Sequence, residues 1–208
     1  ENEYLLFTDA DCKPQSDQWI KLMSEQYLTN DIILGVAPIN IKSNLLGSIV
    51  SYETFHTAIQ YLGYANRNKT YMGVGRNLGY KKSVFFKNKG FASHQHMMSG
   101  DDDLFIQEAS AHKKVGFCFD KESLMYSDAP LSFGKWVKQK IRHMSTSNEY
   151  QFIYKLMLGL YSLSQIIWFS SVVIFLLVYP SYWYTVIGFV FLKWLIQWVI
   201  FGKFALKI

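Results

Sequence analysis

Short bursts of hydrophobic and polar residues alternate over the first 130 positions, and two long apolar runs follow. Tyr4–Thr8 is a brief apolar run that suits a buried strand ending at Asp9-Ala10-Asp11. Asp17 is placed to cap a helix that carries Trp19, Ile20, Met23 and Tyr27 along one side. The run Asp31–Ala37 predicts the next strand, and Leu45–Leu62 predicts a helix. Thr70–Tyr80 reads as extended chain around a glycine-rich turn, Leu104–His112 as a helix and Val115–Phe119 as a strand. Strands and helices alternating in this way predict an α/β domain built on a mostly parallel sheet. Neither an internal repeat nor a low-complexity stretch interrupts it.

Beyond residue 130 the pattern changes period and then solvent. Phe133, Trp136, Val137, Ile141 and Met144 recur at three- and four-residue spacing, while Lys135, Lys138, Gln139 and Arg142 lie largely away from them. A basic amphipathic helix of this kind suits a membrane surface. Leu156–Tyr179 then runs without a charge, long enough to cross a ~30 Å hydrocarbon core as a helix. Pro180-Ser181 breaks it, and Tyr182–Phe201 supplies a second apolar stretch. The expected organisation is a domain over residues 1–130, an interfacial region over 131–154 and a transmembrane hairpin over 155–208. Lys155 precedes the first span, and Lys203 and Lys207 follow the second. The positive-inside rule therefore places the preceding domain in the cytoplasm, with a bacterial inner membrane as the expected location. A pair of core helices in a soluble protein is the alternative, although such helices rarely run so long uncharged. Lys193, near the middle of the second run, needs water or a protein partner; a substrate path and a further helix are equal readings.

Charge sharpens the division. All the acidic residues lie at or before Glu149, so the net charge of +5 splits into about +1 for the part up to that residue and +4 for the tail that contains the spans. That distribution excludes a nucleic-acid binder, which would cluster its basic residues on a folded surface, and suits a tail against anionic lipid. Two cysteines, Cys12 and Cys118, are too few for a disulfide framework and fit reduced thiols. The chain opens on Glu1-Asn2-Glu3, with neither an initiator Met nor a signal-peptide pattern, and a natural N-terminus upstream is expected.

Four constellations offer chemistry. Asp9 and Asp11 stand two apart on a turn at the carboxyl end of a strand, the edge where open α/β sheets bind ligands. They can converge on Mg²⁺ or Mn²⁺, or stand solvated. Asp101, Asp102 and Asp103 are consecutive, and like-charge crowding raises a carboxyl pKa toward that of a proton acceptor. A solvated acidic turn with Asp103 capping the next helix explains them equally. Gly73-Val74-Gly75-Arg76-Asn77-Leu78-Gly79-Tyr80 allows close backbone approach and presents Arg76 and Asn77 to phosphate or sugar hydroxyls, or forms an ordinary hairpin turn. Gln139-Lys140-Ile141-Arg142-His143 puts Gln139 and Arg142 on one helix face, which also suits a plain interfacial anchor. His94, His96, Met97 and Met98 are read as loop or core residues, and His56, His112 and Cys118 as structural.

In this order, with a membrane hairpin behind them, the four elements resemble the membrane-bound family 2 glycosyltransferases, which include the cellulose and hyaluronan synthases. The resemblance covers nearly the whole chain. It implies a GT-A nucleotide-diphospho-sugar transferase domain, Rossmann-like, with its first strands before Glu1. It implies that Asp9 and Asp11 hold Mg²⁺ or Mn²⁺ on the nucleotide diphosphate. The family's Glu-Asp-x-Asp-Leu element falls on Gly100–Leu104, so Asp101 aligns with the catalytic base and Asp102 follows closely. Arg76, Asn77 and Asp103 join the donor and acceptor contacts. Gln139 and Arg142 match the Gln-x-x-Arg-Trp element, with His143 where the family has Trp, a departure that weakens the case for processive synthesis.

The activity so implied is inverting transfer of a sugar from a nucleotide to a glycan or lipid-linked acceptor. The expected partners are donor, acceptor and bilayer. Three other readings compete: single-sugar transfer to a polyprenyl phosphate, a non-catalytic membrane scaffold or pseudoenzyme with the same fold, and a metal-dependent phosphatase.

Overall fold

A computed structural model describes residues 2–40, 44–97 and 99–206. Glu1, Met98 and the flanking Lys207 lie outside the described residues. The chain forms two compact units, one reaching to Tyr150 and the other beginning at Gln151. The first is mixed α/β. Its elements are β1 (Tyr4–Phe7), β2 (Lys13–Pro14), α1 (Trp19–Glu25), β3 (Ile32–Gly35), β4 (Ile39–Asn40), α2 (Leu45–Ala65), β5 (Leu78–Lys81), α3 (Lys82–Lys87), α4 (Asp103–Ala109), β6 (Val115–Cys118), β7 (Met125–Asp128) and α5 (Phe133–Thr146).

The main sheet has the order β1-β5-β3-β6, and a smaller one has the order β2-β7-β4. Only β3 and β6 pair in parallel in the main sheet, since β5 runs against both β1 and β3. The sheet is thus mixed rather than mostly parallel. One reversed strand, β5, is inserted between neighbours that share a direction. Hydrophobic pattern fixes which face a strand buries and carries no information on its direction. β1 also differs from the buried strand expected. It lies at the sheet edge with Tyr4 half exposed, whereas β3 in the centre is wholly buried.

Apolar burial on both faces holds the sheet. On one, Met23 and Tyr27 pack against Ile33 and Cys118, with Leu6, Trp19 and Leu22 around them. Elsewhere Phe105 is fully buried, its ring 4.8 Å from that of Tyr80 and 5.7 and 5.6 Å from those of Phe85 and Phe91. Aromatic clusters of this kind combine large buried area with favourable edge and offset geometry. Asn44 begins α2 by accepting the Gly47 N–H at 2.7 Å. Asp17 does not cap α1: the residue before that helix is Gln18, and the Asp17 carboxylate accepts from the Gln18 side chain instead. Lys81, at the end of β5, pairs with Asp31 at 2.9 Å.

The second unit consists of α6 (Phe152–Val178) and α7 (Trp183–Ala205), joined by a single 3₁₀ turn at Pro180–Tyr182. Both helices are long and apolar enough to cross a membrane, and their side chains are almost entirely unburied. Ile166, Phe169, Trp194 and Trp198 are among the exposed ones. A soluble helix pair would bury such residues, so the outward apolar surface favours lipid as its solvent. Lys193 is accommodated across the hairpin itself. Its ammonium donates to Gln165 Oε1 at 3.0 Å and stands 3.8 and 4.2 Å from the ring centroids of Trp168 and Phe169. Hydrogen bonding and cation–π attraction together offset the cost of a cation there.

Candidate functional site

Because β1, β3 and β6 run the same way, their carboxyl ends share one edge of the sheet. β5 runs opposite and begins at that edge, with Leu78 beside Phe7 and Leu34. The segment after β1 and the turn before β5 therefore meet.

The segment after β1 is a turn closed by the Cys12 N–H to the Asp9 carbonyl at 3.1 Å. It gathers a carboxylate oxygen from each of Asp9 and Asp11 and the Cys12 sulfur within 4.8 Å of one another. The aspartates are exposed and Cys12 is partly buried. Two carboxylates and a thiol so placed form a candidate cation site. Burial pushes the Cys12 thiol up; the Arg76 charge works against this and Asp11 adds to it. Arg76 therefore acts on this cluster.

Arg76 lies in the 3₁₀ turn Gly75–Asn77, whose three residues point to three different tasks. Gly75 donates its N–H to Asp102 Oδ2 at 2.8 Å. A Cβ at Gly75 would stand 3.3 Å from that oxygen, so the close approach favours glycine. The Arg76 guanidinium donates to the Ser127 hydroxyl at 2.6 Å, which fixes it from β7. Asn77 is fully buried. Its amide donates to the Val36 and Ser123 carbonyls, both at 2.9 Å, and its oxygen accepts from the Trp19 indole at 3.0 Å. With its polar atoms turned into the core, Asn77 is a scaffold residue, and the donor or acceptor contact expected of it is not available to its side chain.

The three consecutive acids occupy three environments. Asp101 is exposed, and among the described residues nothing hydrogen-bonds or pairs with its carboxylate. Asp102 caps α4, accepting the Asp103 N–H at 2.9 Å through one oxygen and the Gly75 N–H through the other. Burial raises its pKa, the two backbone bonds lower it and the Asp101 charge adds to the rise. Asp103 is the first residue of α4 rather than its cap. Its buried carboxyl accepts the Tyr150 hydroxyl at 2.6 Å, while its other oxygen has no partner among the described residues. Burial, then the Asp102 charge, raises its pKa well above the usual carboxylate range. Asp103 is thus an interior anchor for Tyr150.

No known protein family and no curated protein matches this chain.

The fourth element docks onto α2 through one acid. Trp136 Nε1 donates to Glu53 Oε2 at 3.2 Å, and Lys140, one helical turn on, pairs with the same carboxylate. His143 continues that side of α5. It keeps an exposed edge, yet burial of the rest of its ring, ahead of the charges of Lys140, Arg142 and Arg76, lowers its pKa. Arg76 thereby acts on both Cys12 and His143. Gln139 and Arg142 are exposed, and Arg142 lines an open cleft with His96, Met97, Ser99, Lys138 and Ile141. His96 and Met97, read from sequence as plain loop or core residues, face this cleft, whereas His94 is buried against Phe91.

Sequence reasoning passed over Cys12, Glu53 and Tyr150. Cys12 had a visible signal, its adjacency to Asp11. The partners of Glu53 and Tyr150 lie 83 and 47 residues away, and nothing local announces them.

Proposed function

We propose that the protein is an inverting glycosyltransferase of the membrane-bound family 2 type, anchored by its helical hairpin with the first unit in the cytoplasm. One observation carries the reading: the Gly75–Asn77 turn ties the two acidic clusters together. Gly75 holds Asp102, and the same turn opens β5 at the sheet edge where the Asp9–Asp11–Cys12 turn follows β1.

In this reading Asp9 and Asp11, with Cys12 beside them, hold Mg²⁺ or Mn²⁺. The donor set fits: two carboxylates leave positions for phosphate oxygens, and the thiol is better suited to Mn²⁺ than to Mg²⁺. The bound cation would supply charge stabilisation for a departing nucleoside diphosphate. Arg76 and Arg142 add fixed positive charge for the same purpose. Asp102 takes the proton from the acceptor hydroxyl as that oxygen bonds to the sugar's anomeric carbon and the bond to phosphate breaks. The resemblance alone favours Asp101. Asp102 is preferred because two backbone N–H groups aim its carboxylate and burial raises its proton affinity, as a general base requires. Gln139 and His143 stand on the acceptor side. A single displacement needs no covalent intermediate on the protein.

Binding is the first test. A nucleoside diphosphate added with Mn²⁺ should raise the thermal midpoint of the purified protein, and Asp11→Asn should abolish the shift. Equal shifts in the presence of a chelator, or none in the wild type, would favour the scaffold reading.

A further inference from the structure

The open cleft on α5 is next to the proposed base loop, since Ser99 lies on its wall and Gly100-Asp101-Asp102 follows directly. Its volume is about 430 Å³, room for a headgroup and the start of a chain. Its charged or chargeable lining groups are the Lys138 ammonium, the Arg142 guanidinium and the His96 imidazole. No carboxylate lines it, and among the described residues no acid pairs with Lys138 or Arg142. Ser99 adds a hydroxyl, while the Ser145 hydroxyl donates to the Arg142 carbonyl at 2.7 Å. A glycan would need acceptors as well as donors, together with a broad aromatic platform; this cleft has no carboxylate and no Phe, Tyr or Trp.

The rest of its surface is apolar. Met97 and Ile141 line the cleft, and Phe133, Ile141 and Met144 on α5 are all more than 60% exposed. Of the apolar positions that recur along α5, only Trp136 and Val137 turn partly inward; the others face solvent. Side by side, a cluster of cations and an uncovered apolar strip complement a molecule with a phosphate at one end and a hydrocarbon chain at the other.

We propose that this cleft binds the phosphate headgroup of a lipid, and that the acceptor of the transferase is therefore a lipid phosphate rather than a neutral glycan. The inference rests on the transferase reading for the word acceptor; the binding site itself does not. Lys138 and His96 engage the phosphate oxygens, and Met97 and Ile141 cover the first carbons of the chain. Sugar transfer then forms a bond from a phosphate oxygen to the anomeric carbon, while the bond from that carbon to the nucleotide breaks. A phosphate monoester dianion is already a competent nucleophile. When it carries a proton, Asp102 removes it.

The test uses the full chain in detergent and native mass spectrometry. A short-chain phosphatidic acid, the matching phosphatidylcholine and inorganic phosphate are titrated in parallel. Phosphatidic acid should bind at least ten-fold more tightly than either of the others, and Lys138→Gln combined with His96→Gln should weaken it about ten-fold. Equal binding of phosphatidylcholine would reduce the effect to general lipid adhesion and overturn the proposal. Inorganic phosphate binding as tightly would make it a free-phosphate site and overturn the lipid. Unchanged affinity in the double variant, with an unchanged melting curve, would also overturn it. Mn²⁺-dependent binding of a nucleoside diphosphate, measured on the same samples, separates the two readings: its loss with the cleft intact removes the transferase, and the converse removes only the lipid acceptor.

Discussion

Asp103 is an acid in an interior that does not suit its charge. Its ionised form is disfavoured by burial and by Asp102, and one hydrogen bond from Tyr150 offsets only part of that. Its pKa in the folded protein lies above the unfolded value, so the folded state binds the proton more tightly. The stability this gives is complete below the ordinary carboxylate value and is lost as pH rises through the raised one. Asp103→Asn retains an oxygen for the Tyr150 hydroxyl and removes the ionisation. It should therefore be more stable than wild type at pH 8, by about 1–2 kcal/mol, with a smaller difference at pH 5. Denaturant unfolding at the two pH values measures this. A less stable variant at pH 8 would show that the Asp103 charge is itself used. Asp102 shares the direction of shift but differs in circumstance, since both of its oxygens accept backbone N–H groups and it retains some exposure.

Among the elements, the Gly75–Asn77 turn contributes most to the site. Asn77 joins it to β3 through the Val36 carbonyl, to the chain before β7 through Ser123 and to α1 through Trp19. Asn77→Ala strands two buried carbonyls and one partly buried indole N–H, and a cost of about 3 kcal/mol is expected from the three lost bonds. Thermal unfolding checks it; a loss under 1 kcal/mol would mean that the turn is held by other contacts. Helices and strands were legible here wherever apolar period and capping agreed, as in α2, which begins at Leu45 as predicted and extends to Ala65. Asp17 and Asp103 each looked like a cap, and in both places the helix began differently, because a short polar side chain also satisfies turns. The direction of β5 was invisible, since its alternation is the same whichever way it runs. Asn77 looked like a ligand because its type favours polar contact, and its burial depends on residues 58 and 46 positions away.

At the scale of the molecule, a mixed α/β unit is joined at Tyr150–Gln151 to a hairpin whose apolar surface lacks protein cover. The hairpin was the most legible feature, because twenty uncharged residues are a statement about solvent that needs no tertiary context. Its handling of Lys193 was not, since the pairing with Gln165 depends on the helix register across the turn. With Lys155 in the first turn of the first helix and Lys203 near the end of the second, reporter tags placed before β1 and in the Pro180–Tyr182 turn should fall on opposite sides of the membrane. Protease access in sealed vesicles reads this directly, and the same accessibility for both tags would rule out the hairpin.

The central claim is sugar transfer with Asp102 as the base, and turnover tests it most directly. The full chain in membranes, with Mn²⁺ and a panel of UDP-, GDP- and dTDP-sugars, should release nucleoside diphosphate from one donor when an acceptor-rich lipid extract is present. With a hydroxyl acceptor, Asp102→Asn should lower that rate by about 10²–10⁴-fold and Asp101→Asn should affect it less; with a lipid-phosphate dianion, which needs no base, the Asp102→Asn loss should be smaller. Silence across the panel from a folded protein that still binds nucleoside diphosphate, or release undiminished in both variants, would contradict the account.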